Sequence, residues 1–488
     1  MAIWHEDRLL VDGELVTAEN GATYETISPS TEEVLGTAAA ASVADTDRAI
    51  AAARRAFEQT DWARDRDLRL HCLRQFHQAM QEHLEDVRQI LVNEVGAPVT
   101  TTRGPQLDSP AGFLDWYANL LEGYEFTEDL GELDSFAGRH HRWIEKEPAG
   151  VVSAITAYNY PIQLALAKLA PALAAGCTVV LKGAPDTPWS ALALGHLIAE
   201  HTDIPAGVVN VITSPEVAVG ERLTTHPDID LISFTGSTPV GRQIMAAASA
   251  TVKRVFLELG GKSALVMLDD GDPNMAAAFC GFAATSHAGQ GCAITSRLVV
   301  PRDRMDEVVE IAQNVMASIP YGDPADPANL MGPLISARQR EKVAGYVDRA
   351  IADGAKAVIG GRIPEQFDRG FYYEPTILVN VDENAAVAQE ELFGPVLVVL
   401  PHDGDDDAAR VANNSIFGLS GGVLSADRDR ALAFARRIKA GTVSVNGGVY
   451  YGADAPFGGY KQSGIGREMG AAGLEEFLER KTLAEPAA

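Results

Sequence analysis

The residues able to do chemistry concentrate in four short segments. Gly289-Gln290-Gly291-Cys292 sets a cysteine on a glycine-flanked loop, where a thiol is accessible and, once deprotonated, nucleophilic. An isolated cysteine is more often a buried structural residue, and Cys72, Cys177 and Cys280, within helical or strand patterns, keep that reading. Leu257-Glu258-Leu259-Gly260-Gly261-Lys262 ends an apolar strand in a carboxylate. Desolvation there raises a carboxyl pKa toward general-base work; a salt-bridged strand end is the structural alternative. In Tyr158-Asn159-Tyr160-Pro161 an asparagine stands at a strand-to-helix junction, where it either caps the helix or donates to an oxyanion. Phe234-Thr235-Gly236-Ser237-Thr238-Pro239-Val240-Gly241 puts a glycine turn before a helix N-terminus, a setting that suits a pyrophosphate. Its glycines have P-loop spacing, but Arg242-Gln243 stands where Lys and Ser/Thr are required, so ATP use is disfavoured.

The elements that must position these residues alternate strand and helix from His141 onward. Strands are expected at 151–157, 178–182, 208–212, 231–234, 254–259 and 264–268, with helices opening at Pro161, near Thr187, near 216 and after Gly236. Short apolar strands separated by helices signal a parallel sheet covered on both faces. The second half repeats this pattern as a second α/β domain: a helix near 273–288, the Cys292 loop, a strand at 298–300 and a helix to about 319. A helix at 335–353, strands near 371–380 and 395–400, a helix at 406–414 and a strand at 441–445 follow. Before His141, residues 1–40 read as short strands and turns. Helices follow from Ala44, from 67 to 95 and from 106 to 121. Residues 122–140 are polar and acidic, an excursion from the compact body, and the tail is expected to be helical around 474–478 and to serve as an oligomerisation arm.

Composition narrows the function classes. The 488 residues include 40 basic and 67 acidic side chains, for a net charge of −27, which makes nucleic acid and anionic membrane poor partners. The four cysteines show no CxxC and no His/Cys cluster, so neither a metal site nor a disulfide framework is expected. The most apolar stretch, Ile162 to Val180, is interrupted by Lys168 and Pro171, and MAIWHEDRLLVDGEL lacks an apolar signal core. A cytoplasmic location is the expectation.

Taken in order along the chain, Asn159, Lys182, the FTGS turn with Gly241, ELGGK, GQGC, Glu390-Glu391-Leu392-Phe393-Gly394-Pro395 and PFGGYKQSGIGRE (456–468) resemble the aldehyde dehydrogenase superfamily over essentially the whole chain. The spacing of Glu258 and Cys292, 34 residues, is similar to the hydrolytic members. The resemblance implies a Rossmann-like cofactor domain (1–125 and 147–260), a catalytic α/β domain (261–465) and an oligomerisation arm (126–146 and 466–488), in homodimers or homotetramers. It implies oxidation of an aldehyde to a carboxylic acid, with Cys292 attacking the carbonyl and the Asn159 amide and Cys292 N–H as oxyanion hole. Glu258 would activate water against the thioester, with Glu468 as a second relay carboxylate behind it. Lys182 would bind the adenine-side ribose, Ser237 the pyrophosphate and Glu391 the nicotinamide ribose, and Phe393 would support the ring. Thr156, Tyr158, Gly220, Phe234, Gly236, Gly241, Leu259 and Gly260 complete the implied cofactor contacts. Tyr160, Ile294, Tyr451 and Phe457 would line a tunnel for an apolar aliphatic or aromatic aldehyde.

The chain departs from the family pattern at Lys182-Gly183-Ala184-Pro185, where NAD-preferring members carry a glutamate in place of Pro185. Repulsion of a 2′-phosphate is thereby removed, yet Asp186 follows and no adjacent Lys or Arg replaces it. NAD is the expected cofactor, with NADP tolerated. A non-catalytic relative would have lost Cys292 or Glu258. A cysteine hydrolase using His287 leaves the cofactor motifs unexplained, and helical spacing points His287 away from Cys292.

Overall fold

A computed structural model describes residues 4–487. Residues 1–3 and 488, the extreme ends of the expected first domain and arm, lie outside the described residues. Two large sheets organise the chain. The first has eight strands, with five parallel strands at its centre in the order Arg254–Glu258, Leu231–Thr235, Val151–Ile155, Thr178–Lys182, Val209–Ile212. These strands are rich in Val, Ile and Leu and almost wholly buried, as a sheet covered by helices on both faces requires. Antiparallel strands close its edges: Leu9–Val11 and Glu14–Val16 on one side, Gly464–Ile465 on the other.

The second sheet has seven strands, ordered Lys356–Ile359, Thr376–Val379, Val396–His402, Thr295–Pro301, Ser263–Met267, Ser420–Leu424, Thr442–Val445, all parallel except the first pair. Thr127–Ser135, Gly138–Pro148 and Leu478–Pro486 form a separate antiparallel ribbon.

Local signals set the helix ends. Ser42 and Asp45 form a reciprocal capping box at the start of Val43–Gln59. Pro161 opens the helix Pro161–Ala175, and Gly176, at φ 96°, ends it in the left-handed conformation.

Several expectations are corrected. The tail is helical over Gly470–Glu475, not 474–478, and continues as the strand Leu478–Pro486, because Gly138–Pro148 offers it a complete ladder. Met469, Leu474 and Phe477 are buried in the core of the first sheet, so 466–477 does not belong to the arm; Gly464–Ile465 pairs with the first sheet rather than the second. The helical stretch 67–95 is broken at His83 and ends in a π turn, and the helix from Pro273 stops at Thr285. The segment 371–375 stays out of the sheet, whereas Lys356–Ile359, Ser420–Leu424 and Arg428–Ala435 form elements the sequence did not announce. Among the described residues, no helix is long and apolar enough to cross a membrane, and no acidic, histidine and cysteine cluster could hold a metal ion.

Candidate active site

The C-terminal ends of the first-sheet strands Val151–Ile155, Leu231–Thr235 and Arg254–Glu258, where open α/β sheets bind ligands, meet the Cys292 loop and the starts of the second-sheet strands Thr295–Pro301 and Ser420–Leu424 at one cavity of about 550 Å³. Cys292, Glu258, Asn159 and Glu468 all line it. So do Tyr158, Gly236, Ser237, Leu259, Gly260, Glu391 and Phe393, and the four residues expected on the aldehyde side, Tyr160, Ile294, Tyr451 and Phe457. Five expected cofactor residues do not line this cavity. Thr156 donates its N–H to the Lys182 carbonyl (3.2 Å), and the Lys182 ammonium, lowered to about 8 by burial, donates to the carbonyls of Gly183 and Ser214. Phe234 and Gly241 lie beneath the lining, against Gly236 and Leu259 respectively, and Gly220 sits on the helix Val217–Thr225.

Cys292 sits half-buried at the end of an unusual turn. His287, Ala288 and Gly289 all adopt left-handed conformations, with φ of 48°, 52° and 71°. The turn can pack so closely only because Gly289 lacks a Cβ, which would strike the Gly394 carbonyl. The thiol is pushed well above its ordinary range by burial and then by the carboxylates of Glu258, Glu391 and Glu468.

Asn159 does not cap the following helix. Tyr160 occupies the cap position without a side-chain bond, and the Asn159 amide instead donates to the Gln290 carbonyl at 2.8 Å. Its own carbonyl accepts from Gln106 Nε2 at 3.0 Å.

Glu258 ends its strand buried, with neither carboxylate oxygen hydrogen-bonded, so the salt-bridged alternative does not hold. Burial raises its pKa well above the usual range and the Glu468 charge raises it further, against the pull of Lys168 and Arg467. Glu468 itself accepts from Lys168 Nζ at 2.8 Å in a fully buried ion pair. The lysine that interrupted an apolar helix in the sequence is thus its counter-ion. The sequence offered a clue only in that a charge inside such a helix needs a partner.

The other end of the cavity fits a dinucleotide. Ser237 precedes the helix Thr238–Ala248 without capping it, which leaves the first N–H groups free for a phosphate. Glu391 accepts from the Gly261 N–H at 2.9 Å, and its carboxyl is raised to about 7 by burial; a Cβ on Gly260 would strike that carboxylate. Tyr158 meets Phe393 edge-to-face at 5.9 Å. Pro185 is exposed, as is Arg338, whose charge reaches Asp186 and Tyr158.

Elsewhere in the cavity, Tyr451 accepts from Gln163 Nε2 at 2.5 Å and packs edge-on against Phe457 at 5.3 Å. His287, expected on a helix, lies instead in the left-handed turn. Its buried ring packs against Tyr160 at 5.5 Å and its pKa is lowered to about 4 by burial. Sequence reasoning also missed Gln163, Leu164 and Phe279 in the lining, which carried no motif beyond helical spacing.

The family model described as "Aldehyde dehydrogenase family" matches residues 15–483. A 3-succinoylsemialdehyde-pyridine dehydrogenase from a Pseudomonas species is 40% identical over 477 residues, 97% of each chain. Among solved structures, a Mycobacterium tuberculosis aldehyde dehydrogenase complexed with NAD+ superposes with a TM-score of 0.94 at 38% identity, covering 98% of each chain. A mutant of aldehyde dehydrogenase C from Pseudomonas syringae, complexed with NAD+ and octanal, gives 0.92 at 37% identity, covering 98% of this chain and 96% of that one.

Proposed function

Since the chain belongs to the aldehyde dehydrogenase family and is an NAD(P)-dependent oxidoreductase that converts aldehydes to carboxylic acids, we propose that Cys292 is its nucleophile and Glu258 its base. One observation carries this assignment. A thiol, a partnerless buried carboxylate and a side-chain amide donor line the same cavity, although the chain contributes them from three separate segments.

The Cys292 thiolate forms a C–S bond with the aldehyde carbon, and the oxyanion is received by the free Asn159 N–H and the Cys292 N–H. NAD or NADP, which Glu391, Phe393 and Tyr158 would hold, would supply the acceptor for the hydride that leaves the former aldehyde carbon and turns the thiohemiacetal into a thioester. Glu258 then takes a proton from water as that water attacks the thioester carbonyl. The C–S bond breaks, the carboxylic acid leaves and Cys292 is restored. Glu258, raised by burial, holds that proton well, and Glu468 stands behind it to pass the proton on.

Ser237 and Gly236 are assigned to the pyrophosphate, Glu391 to the nicotinamide-side ribose, Phe393 and Tyr158 to the ring, and Lys182 to the adenine-side ribose, with Thr156, Phe234, Gly241, Gly220, Leu259 and Gly260 supporting them. NAD is the preferred dinucleotide, and the exposed Pro185 leaves room for NADP. The substrate is an apolar aliphatic or aromatic aldehyde. The charged lining residues, Glu258, Lys342, Glu391 and Glu468, all belong to the base or cofactor side, whereas Leu164, Phe279, Ile294, Tyr451 and Phe457 face the aldehyde. The octanal held by the P. syringae relative and the pyridine ring in the name of the Pseudomonas relative agree with this choice.

The first sheet and its helices form the dinucleotide-binding body, the second sheet the nucleophile-bearing body. The three-stranded ribbon is the contact through which copies pair as homodimers or homotetramers; Leu130, Leu133 and Phe136 are exposed along it. The decisive experiment is Cys292→Ala. NADH formation at 340 nm should vanish while NAD still binds, and an alanine variant with full activity would sink the assignment.

A further inference from the structure

We propose that Gln290 is a positioning residue whose side chain clamps the nucleophile turn so that its own carbonyl aims the Asn159 amide at the oxyanion. This inference rests on the oxyanion role given to Asn159 above and adds the residue that makes that role work.

Three observations converge on it. The left-handed run His287-Ala288-Gly289 is a conformation that side-chain-bearing residues avoid, so something outside the turn must hold it. Gln290, fully buried, supplies that hold from both ends of its amide. Oε1 accepts from the Ile335 N–H at 3.0 Å, while Nε2 donates to the carbonyls of His287 at 3.2 Å and Pro333 at 3.4 Å. The turn is thereby tied both to itself and to a neighbouring segment. The Gln290 main-chain carbonyl is the group that receives the Asn159 amide, at 2.8 Å.

Geometry supplies the rest. A side-chain amide has two N–H groups in one plane, about 120° apart. With one of them committed to the Gln290 carbonyl, the direction of the other is set. A donor must come within about 3 Å of the developing oxyanion, and a displacement of the order of an ångström forfeits most of its effect. Any substitution that lets the turn relax therefore swings the free N–H away from the reacting oxygen. Only a neutral amide serves: glutamate would set its oxygens against the His287 and Pro333 carbonyls, and methionine would bond to none of the three groups.

The test is a double-mutant cycle in the full-length enzyme, read as the single-turnover rate of NADH formation from hexanal at saturating NAD. Gln290→Met is expected to slow that rate by about 10- to 100-fold with Asn159 present, and by less than about 2-fold in an Asn159→Ala background. The NAD dissociation constant, read by tryptophan fluorescence, should stay unchanged in both. Equal losses in the two backgrounds, or no loss in either, overturn the proposal, because a general weakening of the fold acts whether or not Asn159 is there. If Gln290→Met does not bind NAD, Gln290→Glu, which keeps the Ile335 bond and loses the two donations, carries the same cycle. The two readings fail separately. Asn159→Ala with an undiminished rate removes the oxyanion role itself, whereas a slow Asn159→Ala with additive Gln290 losses removes only the clamp.

Discussion

Glu94 and Glu258 are both carboxylates shut off from solvent, and the fold treats them in opposite ways. Glu94, in the turn Leu91–Val95, accepts from the N–H groups of Trp189 and Ser190 (2.8 Å each) and from the Ser190 hydroxyl (2.6 Å), at the start of the helix Pro188–His201. Those donors and the helix N-terminus work against burial, which leaves its carboxyl at about 7. Glu258 has no donor at all, and the charge of a second carboxylate, Glu468, adds to burial in raising its pKa. A buried acid that serves the structure is surrounded by partners. The acid proposed to serve the reaction is left short of them and faces the cavity.

The largest test of that contrast is Glu258→Gln. Turnover is expected to fall about 10²- to 10⁴-fold while the first equivalent of NADH still forms, because only the hydrolytic half needs this base. Rapid-mixing absorbance separates the two phases, and loss of the first phase would show that Glu258 is not confined to deacylation. A smaller effect is expected from Glu468→Gln. Glu258 works only when ionised, so turnover rises with pH through its titration. Removing the Glu468 charge lowers that pKa and moves the rising limb to lower pH. A kcat profile against pH reads the shift whatever the height of its plateau, and a limb that stays in place or moves to higher pH contradicts the assignment. The smallest effect on catalysis belongs to Glu94→Ala. It strands two buried N–H groups at a helix start and should cost about 1–3 kcal/mol in denaturant unfolding, with both NADH phases intact. Turnover falling as steeply as for Glu258→Gln would erase the distinction between the two acids.

That these residues share a cavity was legible in the sequence because the chemistry proposed for them needs particular types at fixed local offsets: Cys292 beside glycines, Glu258 at a strand end, Gly236 and Ser237 between strand and helix. What supports them was not legible, because it is assembled across long separations. Lys168 reads locally as a flaw in an apolar helix, and only the fold brings Glu468 to it, 300 residues away. Gln106 reaches the Asn159 carbonyl from a loop with no signature, and Gln290 stood in the quoted motif without a role until Ile335 and Pro333 were beside it. The same holds for the elements. Ser420–Leu424 carries two glycines and little β propensity, yet it is wedged between Ser263–Met267 and Thr442–Val445 in the second sheet. The tail strand likewise exists only because Gly138–Pro148 lies alongside it.

The stretch Asn446–Gly452 brings Tyr450 and Tyr451 to the cavity and leaves Val449 almost wholly exposed, outside the buried cores of both sheets. Cys292, on its own turn, and Glu258, at the end of Arg254–Glu258, belong to other segments, and the stretch meets the body through Tyr451 with Gln163 and Asn446 with Ser425. A changed stretch is therefore expected to reshape one wall of the cavity, beside the lining that Tyr160, Ile294 and Phe457 supply from elsewhere in the chain.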